Sequence, residues 1–424
     1  MNYDVLIIGG GPAGMAAAIA AKQRGNKVLL IEKNIKLGLK MHISGGGRCN
    51  FTNICPIDKF IDNIPGNGKF LYSALNCFSN KDLIDFVEKD LKVKTSVEDH
   101  GKVFPASNKS ETLIQALENY LDNIGVEIIY ESSVIEIITD EIKVIGILLK
   151  GNRTIYGKSI VLATGGLSYS HTGSSGDGQR MSESLGHKVT QLFPSLVPLI
   201  CSDFVISSKE LQGLSLNNIE LSLFNTDNKC VKREYGDMIF THFGVSGPAV
   251  LKLSRNVSEI YKELGKVPLK LKIDLFPDET EDIILDKINN LIKEFPKKST
   301  NNGLKDLLQD KFLRYIIKNE NIELKKMIEL NKNDINKIIN KVKNFNLTIS
   351  DTKPLEEAMI TAGGIDIKEV NPKTLGSKLI SGLFFAGEIL DFDAYTGGYN
   401  IQIAFSTGYT AGISTNNYIS TYRN

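Results

Sequence analysis

A mixed α/β fold, in which a parallel-sheet domain is interrupted first by a mostly β segment and then by a helical one, is predicted by three features of this 424-residue chain. The first is a strand–helix–strand pattern at the N-terminus. The second is a stretch from Leu192 to Phe276 that reads as short strands punctuated by Pro and Gly. The third is Asp278–Lys343, where apolar residues recur at helical spacing and glycine nearly disappears.

Taken in order, Tyr3–Ile8 is a short apolar run, Pro12–Arg24 an alanine-rich helix and Lys27–Glu32 a second apolar run, which together make one βαβ unit. A helix over Ser110–Asn123 precedes a strand at Val126–Tyr130. Three β-like runs follow at Val134–Thr139, Val144–Leu149 and Thr154–Tyr156. The separate apolar run Ser159–Ala163 then ends in Thr164-Gly165-Gly166. In the helical segment, Ile335, Ile338, Ile339 and Val342 follow the i, i+3, i+4, i+7 rule, and Leu304, Leu307, Leu308 and Phe312 come close to it. Gly382–Glu388 reads as a strand ending in a tight turn, with a helix over Ile401–Ala411 beyond it. The expected domains are 1–191 and 366–424 for the parallel-sheet domain, 192–276 and 347–365 for the β-rich one, and 277–346 for the helical insertion.

Composition narrows the class of function. Fifty Lys+Arg against 49 Asp+Glu leaves a net charge of +1, which gives no global pull toward nucleic acid or an anionic membrane. In Asp278–Lys343 the 12 acidic and 14 basic residues are interspersed, as on solvated helix faces, rather than segregated into a nucleic-acid stripe. The five cysteines (49, 55, 77, 201, 230) lack C-x-x-C spacing, so neither a disulfide framework nor a zinc site is expected, and the scattered histidines suggest no metal. No signal-peptide pattern and no run of about 18 apolar residues is seen, so the reading is a cytoplasmic protein that does not span a membrane. A small-molecule substrate is expected, with no nucleic acid and no obligate protein partner. Of the 37 glycines only Gly303 lies between Asp278 and Ser350; the rest mark places where backbone turns tightly or approaches a ligand.

Gly9-x-Gly11-x-x-Gly14 follows the first strand and opens the first helix. Gly9 permits the turn, Gly11 lets backbone approach a pyrophosphate, and Gly14 lets helix and strand pack closely. The helix N-terminus offers N–H groups to phosphate, with Pro12 and Ala13 in its first turn. Glu32, 18 residues past Gly14, ends the second strand where a ribose would be bound. These features predict a Rossmann-like dinucleotide site. Ser44-Gly45-Gly46-Gly47-Arg48, preceded by Gly38 and Lys40, is a second glycine-rich loop suited to a long, flat cofactor. Arg48 and Lys40 are expected to supply positive charge. A strand ending in Gly387-Glu388 can bring a carboxylate to ribityl hydroxyls, and the next helix, entered through Gly397-Gly398-Tyr399-Asn400, can face the ring.

The N-terminal glycine motif, the A-T-G strand end and the C-terminal Gly-acid resemble the glutathione-reductase-like FAD superfamily, departing from it at Glu388, where that superfamily usually has Asp. More narrowly, SGGGRCNFTN (44–53), GSSGDG (173–178), PSLVPL (194–199), THFGVSGPAVL (241–251), TAGGI (361–365) and AGEILDFDAYTGGYNIQ (386–402) resemble, as a set, one family of bacterial flavoproteins. It contains aminoacetone oxidase and the flavin reductase of dehydro-bile acids. The resemblance implies an FAD domain built from both chain ends, with an inserted barrel-like β domain and an inserted helical domain. It implies non-covalent FAD contacts at Gly9, Gly11, Pro12, Ala13, Gly14, Glu32, Lys33, Lys40, Ser44, Gly45, Gly46, Gly47, Arg48, Val134, Thr164, Gly165, Gly166, Gly387, Glu388, Gly398, Tyr399, Asn400 and Ile401.

The expected activity is hydride transfer between flavin N5 and an organic substrate held between the FAD and β domains. An NAD(P)H-driven reductase of an activated double bond leads, with an O2-dependent amine or amino-ketone oxidase as the alternative. A non-catalytic flavin-binding module and a flavin-dependent RNA-modifying enzyme are further readings, the last disfavoured by the lack of a basic stripe. No second G-x-G-x-x-G is present, so NAD(P)H would dock transiently. The catalytic group is open among Tyr169, His171, His242, Asp393 and Tyr395. Ser246 in Gly244–Gly247 lacks nucleophile-elbow spacing, and Cys49 is read as a packed thiol rather than a redox partner.

Overall fold

The computed structural model describes residues 2–322 and 324–421; Met1, Glu323 and residues 422–424, which fall within the expected domains, lie outside them. Contacts divide the chain into two units, Met1–Phe193 with Met359–Asn424, and Pro194–Ala358. Residues 359–365, read from the sequence as the tail of the β-rich segment, belong to the first unit, where the Thr361 hydroxyl accepts hydrogen bonds from the backbone N–H of Leu167 and Ser168.

The first unit opens with β1 (Asn2–Ile8), α1 (Pro12–Lys22) and β2 (Val28–Ile31). From Val5 to Ile8 β1 is apolar because both its faces are covered: Val5 and Ile7 join the core on one side, Leu6 and Ile8 the core on the other. α2 (Ser110–Asn123) leads into β3 (Glu127–Ile129). β4 (Val134–Asp140), β5 (Lys143–Leu149) and β6 (Arg153–Leu162) form an antiparallel meander. The last strand, β7 (Leu383–Phe385), precedes α3 (Tyr399–Thr421). The parallel part of the sheet runs β3-β2-β1-β6-β7. Its order reverses between β1 and β6, and ligands of open α/β sheets bind at the carboxyl ends of strands flanking such a reversal.

Two sequence expectations change here. Thr154–Tyr156 and Ser159–Ala163 are one ten-residue strand, β6, whose first half pairs with β5 and whose second half pairs with β1. Gly157, which lies between the two runs, is a close approach: a Cβ there would stand 2.6 Å from Leu6 Cγ. The final helix is 23 residues long and includes Gly408 and Gly412. Both face α1, where a Cβ would come within 2.1 Å of Ala13 O and 2.4 Å of Ala17 O, so the small residues let two buried helices touch along their backbones.

The second unit contains a closed six-stranded antiparallel barrel in the order Leu199–Cys201, Gly244–Ser246, Cys230–Phe240, Ser215–Phe224, Leu269–Asp274 and Phe345–Thr352. Within what the sequence suggested was mostly strand lies a 17-residue helix, Pro248–Leu264. Pro248 is its first residue, the position where a missing N–H costs nothing and a fixed φ helps; it had been read as punctuation. Helices Glu281–Glu294, Asp310–Asn319 and Lys332–Lys343 follow, and Ile335, Ile338, Ile339 and Val342 are all buried in a core shared with the barrel. Among the described residues no helix is long and apolar enough to cross a membrane, and no group of three or more His, Cys, Asp or Glu could hold a metal ion.

Candidate functional site

The carboxyl ends of β1, β6 and β7 meet in one place. Ala163 N–H donates to Ile8 O at 2.9 Å and Ala386 N–H to Leu162 O at 3.0 Å, which brings the loops after the three strands together. The first loop's glycines have three different reasons to be glycine. Gly9 has φ +105° and a Cβ there would sit 2.5 Å from Ala163 O; a Cβ at Gly14 would sit 1.8 Å from Gly9 O. Gly11 is the contrast, since a Cβ there meets nothing within 4 Å. Two glycines close the turn, and the third faces open space at the N-terminus of α1, which no side chain caps.

Glu32 is buried at the end of β2. Its Oε2 accepts from Gly10 N–H at 2.7 Å, and its Oε1 accepts from the backbone and side-chain amides of Asn34 at 2.8 and 2.6 Å. The carboxylate is thus oriented against the glycine loop by the chain itself. Lys33 pairs with Asp177 at 2.7 Å and donates to Ser175 at 2.6 Å. Burial would raise the Asp177 carboxyl, but the Lys33 and Ser175 hydrogen bonds and the charges of Lys33 and Arg180 outweigh it and hold it below the usual range. Ser132 N–H donates to Glu32 O, which places Val134, the first residue of β4, beside this corner.

A second cluster joins four distant segments. Lys40 Nζ pairs with Glu388 at 2.6 Å and donates to Ser168 Oγ at 2.7 Å. The other Glu388 oxygen accepts from Ser168 Oγ at 3.0 Å and from Thr361 N–H at 2.8 Å. Glu388, expected to reach ribityl hydroxyls, is therefore already engaged by three groups of the chain. Gly166 lies against it, a Cβ there falling 2.4 Å from Thr361 Oγ1. Ser168 and Thr361 carried no role in the sequence reading. Their signal was position, one just beyond the Thr164–Gly166 strand end and the other opening TAGGI, but only the fold shows that they meet.

In Ser44–Arg48 the three glycines are consecutive left-handed residues (φ +56°, +68°, +83°), and a Cβ at Gly46 meets nothing within 4 Å. Arg48 does not project a free charge: its guanidinium lies 4.1 Å from the centre of the Phe104 ring and pairs with Glu98 and Asn108. Lys40 is likewise paired, so the positive charge expected of both is locally balanced. Cys49 is fully buried, and burial, against a hydrogen bond with Ser44, pushes its thiol up to about 12, as befits a packed cysteine. At the start of α3, Gly398 is pressed on Thr52, a Cβ there falling 2.2 Å from Thr52 O. Tyr399 is buried, its hydroxyl raised by desolvation and by Cys55. Asn400 clamps the preceding loop, accepting from Ala394 N–H at 3.0 Å and donating to Ala394 O at 2.7 Å. Ile401 packs against the core.

Of the proton-transfer candidates, Tyr169 directly follows Ser168 and has φ +52°, an uncommon conformation for a bulky residue. Its ring meets His171 edge-on at 5.8 Å, and His171 is exposed. Asp393 is buried, and Tyr395 is half-buried with its N–H on Asn63 O. His242 lies in the second unit.

FAD fits this cradle on two counts. The open space at Gly11 and Gly46 is where ligand atoms would replace a Cβ. Two buried oxygens, Asn50 Oδ1 in the second glycine-rich loop and Thr164 Oγ1 at the end of β6, have no protein partner and would gain one from a polar cofactor. Residues 3–414 match the family model described as HI0933-like protein Rossmann domain. The chain is 29% identical to a ribosomal RNA dihydrouridine synthase of Haemophilus influenzae, covering 96% of this chain and 97% of that one. It is 31% identical to a ribosomal RNA dihydrouridine synthase of Escherichia coli, covering 96% of each. It is 28% identical to a 3-dehydro-bile acid delta(4,6)-reductase of Clostridium scindens, covering 96% and 97%. In fold it is similar to a 3-ketosteroid delta1-dehydrogenase from Sterolibacterium denitrificans, with TM-score 0.54 at 13% identity over 99% of this chain and 100% of that one.

Proposed function

Given that the chain belongs to the HI0933-like Rossmann family of FAD-dependent oxidoreductases, we propose that it reduces a carbon–carbon double bond conjugated to a carbonyl, with uridine in ribosomal RNA as the substrate and NAD(P)H as the electron source. One observation carries this reading. The relatives matched over nearly the whole chain are named for two substrates that share one bond type. Uridine's C5=C6 bond and the double bonds of a 3-keto-4,6-diene are both conjugated with a ring carbonyl. In each, hydride adds at the carbon remote from the carbonyl and a proton at the carbon next to it.

FAD, when bound, supplies the hydride chemistry. The chain's own part is to hold and orient. Gly11 and the N-terminus of α1 receive the pyrophosphate, Glu32 the ribose, and the Gly45–Gly47 backbone and the start of α3 the remainder of the cofactor. Lys40, Ser168, Thr361 and Glu388 form a polar floor that balances its own charge. The near-neutral composition favours a small molecule over RNA, and the bile-acid-type relative favours a second reading, a free polycyclic enone.

One experiment separates the two. FAD-loaded enzyme with NADH or NADPH is given unmodified ribosomal RNA transcribed in vitro or, separately, a 3-keto-4-ene steroid. The RNA is digested and weighed for nucleosides that have gained two hydrogens. Gain in the RNA supports the first reading and steroid reduction alone supports the second. Failure of both substrates to reoxidise the reduced flavin anaerobically refutes the shared chemistry.

A further inference from the structure

In the first unit, the second glycine-rich loop runs out at Asn50, and the chain holds that residue from both sides. Before it, Cys49 has φ +60° and its N–H donates to Ser44 O at 3.0 Å. After it, Phe51 is fully buried and its N–H donates to Val103 O at 3.1 Å. The next two residues are tied to the entry of α3. Thr52 Oγ1 donates to Gln402 Oε1 at 2.5 Å, and Asn53 Nδ2 donates to Gly397 O at 3.2 Å. The loop also folds back on Asn50, since a Cβ at Gly45 would stand 3.0 Å from Asn50 N. The backbone that carries the Asn50 side chain is therefore fixed.

The side chain itself is not used by the fold. Asn50 Oδ1 is buried and accepts no hydrogen bond among the described residues. A buried acceptor left this way is costly, so its place calls for a donor from a ligand. A carboxamide sets that acceptor beside an N–H donor. Its complement is an imide edge, an N–H next to a carbonyl, met through two parallel hydrogen bonds as Asn meets a base edge. The ring system of oxidised FAD has one N–H, at N3, flanked by the C2 and C4 carbonyls. The adenine amine belongs to the half of the cofactor expected at Gly11 and Glu32, and the ribityl hydroxyls can turn to water. Uracil has an imide edge too, but a substrate leaves after each turnover and would strand the oxygen again. A resident cofactor satisfies it throughout.

We propose that Asn50 binds the imide edge of the flavin, its Oδ1 accepting from N3–H while its Nδ2 donates to the neighbouring ring carbonyl. The glycines of this loop leave room for a flat ring, and Asn50 decides which edge of that ring turns toward the loop. The inference rests on the FAD-binding fold and holds for either substrate.

Flavin exchange on the full-length holoenzyme tests this without turnover. The protein is equilibrated with mixtures of FAD and 3-methyl-FAD, in which a methyl group replaces the N3 hydrogen, and the ratio of the two flavins bound is read by mass. Wild type should prefer FAD by about ten- to a hundredfold, the range for a buried acceptor that loses its donor. Asn50→Leu, close in size but with nothing to accept or donate, should bind the two flavins about equally. Asn50→Ser, too short to reach the imide, gives the same comparison should the leucine variant fail to fold. Equal uptake of both flavins by wild type, or the full wild-type preference for FAD surviving in the variants, overturns the assignment. Selective binding of FAD with no NAD(P)H-driven reduction would count against the proposed function and leave this inference standing.

Discussion

Gly11 and Gly14 stand three residues apart, yet their substitution should fail in opposite ways. At Gly11 the backbone is extended (φ −76°, ψ −177°), which suits a β-branched residue before Pro12, and an added Cβ meets nothing within 4 Å. Gly11→Val should therefore leave the apoprotein as stable as wild type or up to about 1 kcal/mol more so, because the unfolded chain loses freedom. The valine methyls would occupy the space left for phosphate. Adding FAD at 100 times its wild-type Kd stabilises wild type by about 2.7 kcal/mol, and the variant should gain none of this. At Gly14 the Cβ would lie 1.8 Å from Gly9 O, backbone against backbone, so Gly14→Ala must displace α1 from β1. That should cost about 1–3 kcal/mol before any ligand is considered. Urea unfolding of stripped protein, with and without FAD, and the visible flavin absorbance of each preparation measure both effects. Yellow Gly11→Val at full occupancy, or wild-type stability in Gly14→Ala, would show that the loop does not work as described.

Other perturbations have equally definite outcomes. Lys40→Met should destabilise by about 1–3 kcal/mol by stranding the half-buried Glu388 carboxylate, and adding Glu388→Gln should recover part of the loss. Additive effects in that double-mutant cycle would show that the pair is not coupled. His187 has no exposed side-chain surface; burial lowers its pKa from 6.5, outweighing the raising effect of Glu369. The unfolded chain therefore binds the extra proton first, and stability should fall as pH drops through about 6.5, levelling once the folded-state pKa is passed. His187→Gln should flatten that slope in urea titrations; an unchanged slope would assign it to other groups. Cys77 and Cys230 are exposed, whereas burial pushes Cys49 and Cys201 up to about 12, so mild alkylation of native protein should label the first two and spare the second two. Labelled Cys49 without unfolding would contradict its packing.

Local signals were readable in the sequence wherever the determining contacts are close in the chain. The alternation of Val5 and Ile7 against Leu6 and Ile8 follows from a strand buried on both faces, and the Gly9–Gly14 spacing follows from a turn that must feed a helix into its own strand. Composition misleads where a residue's reason lies far away. Gly157 resembles a break until Leu6 is seen beneath it, and Pro248 resembles a strand terminator until the helix behind it is seen. Gly408 and Gly412 shorten any helix judged by propensity, but α1 requires them. The meeting of Lys40, Ser168, Thr361 and Glu388 joins residues up to 348 positions apart, and no spacing rule encodes that.

The first unit is made from both ends of the chain, and that has a consequence for synthesis on the ribosome. β7 and α3 emerge only after residues 194–358, which at about 5–20 residues per second takes roughly ten to thirty seconds. Until then β6 has an unpaired edge, and the alanine face of α1 that later contacts Gly408 and Gly412 is bare. The intervening unit is one unbroken segment with its own core and can condense first. The nascent N-terminal half is thus the aggregation-prone species, and chaperone demand should concentrate in that interval.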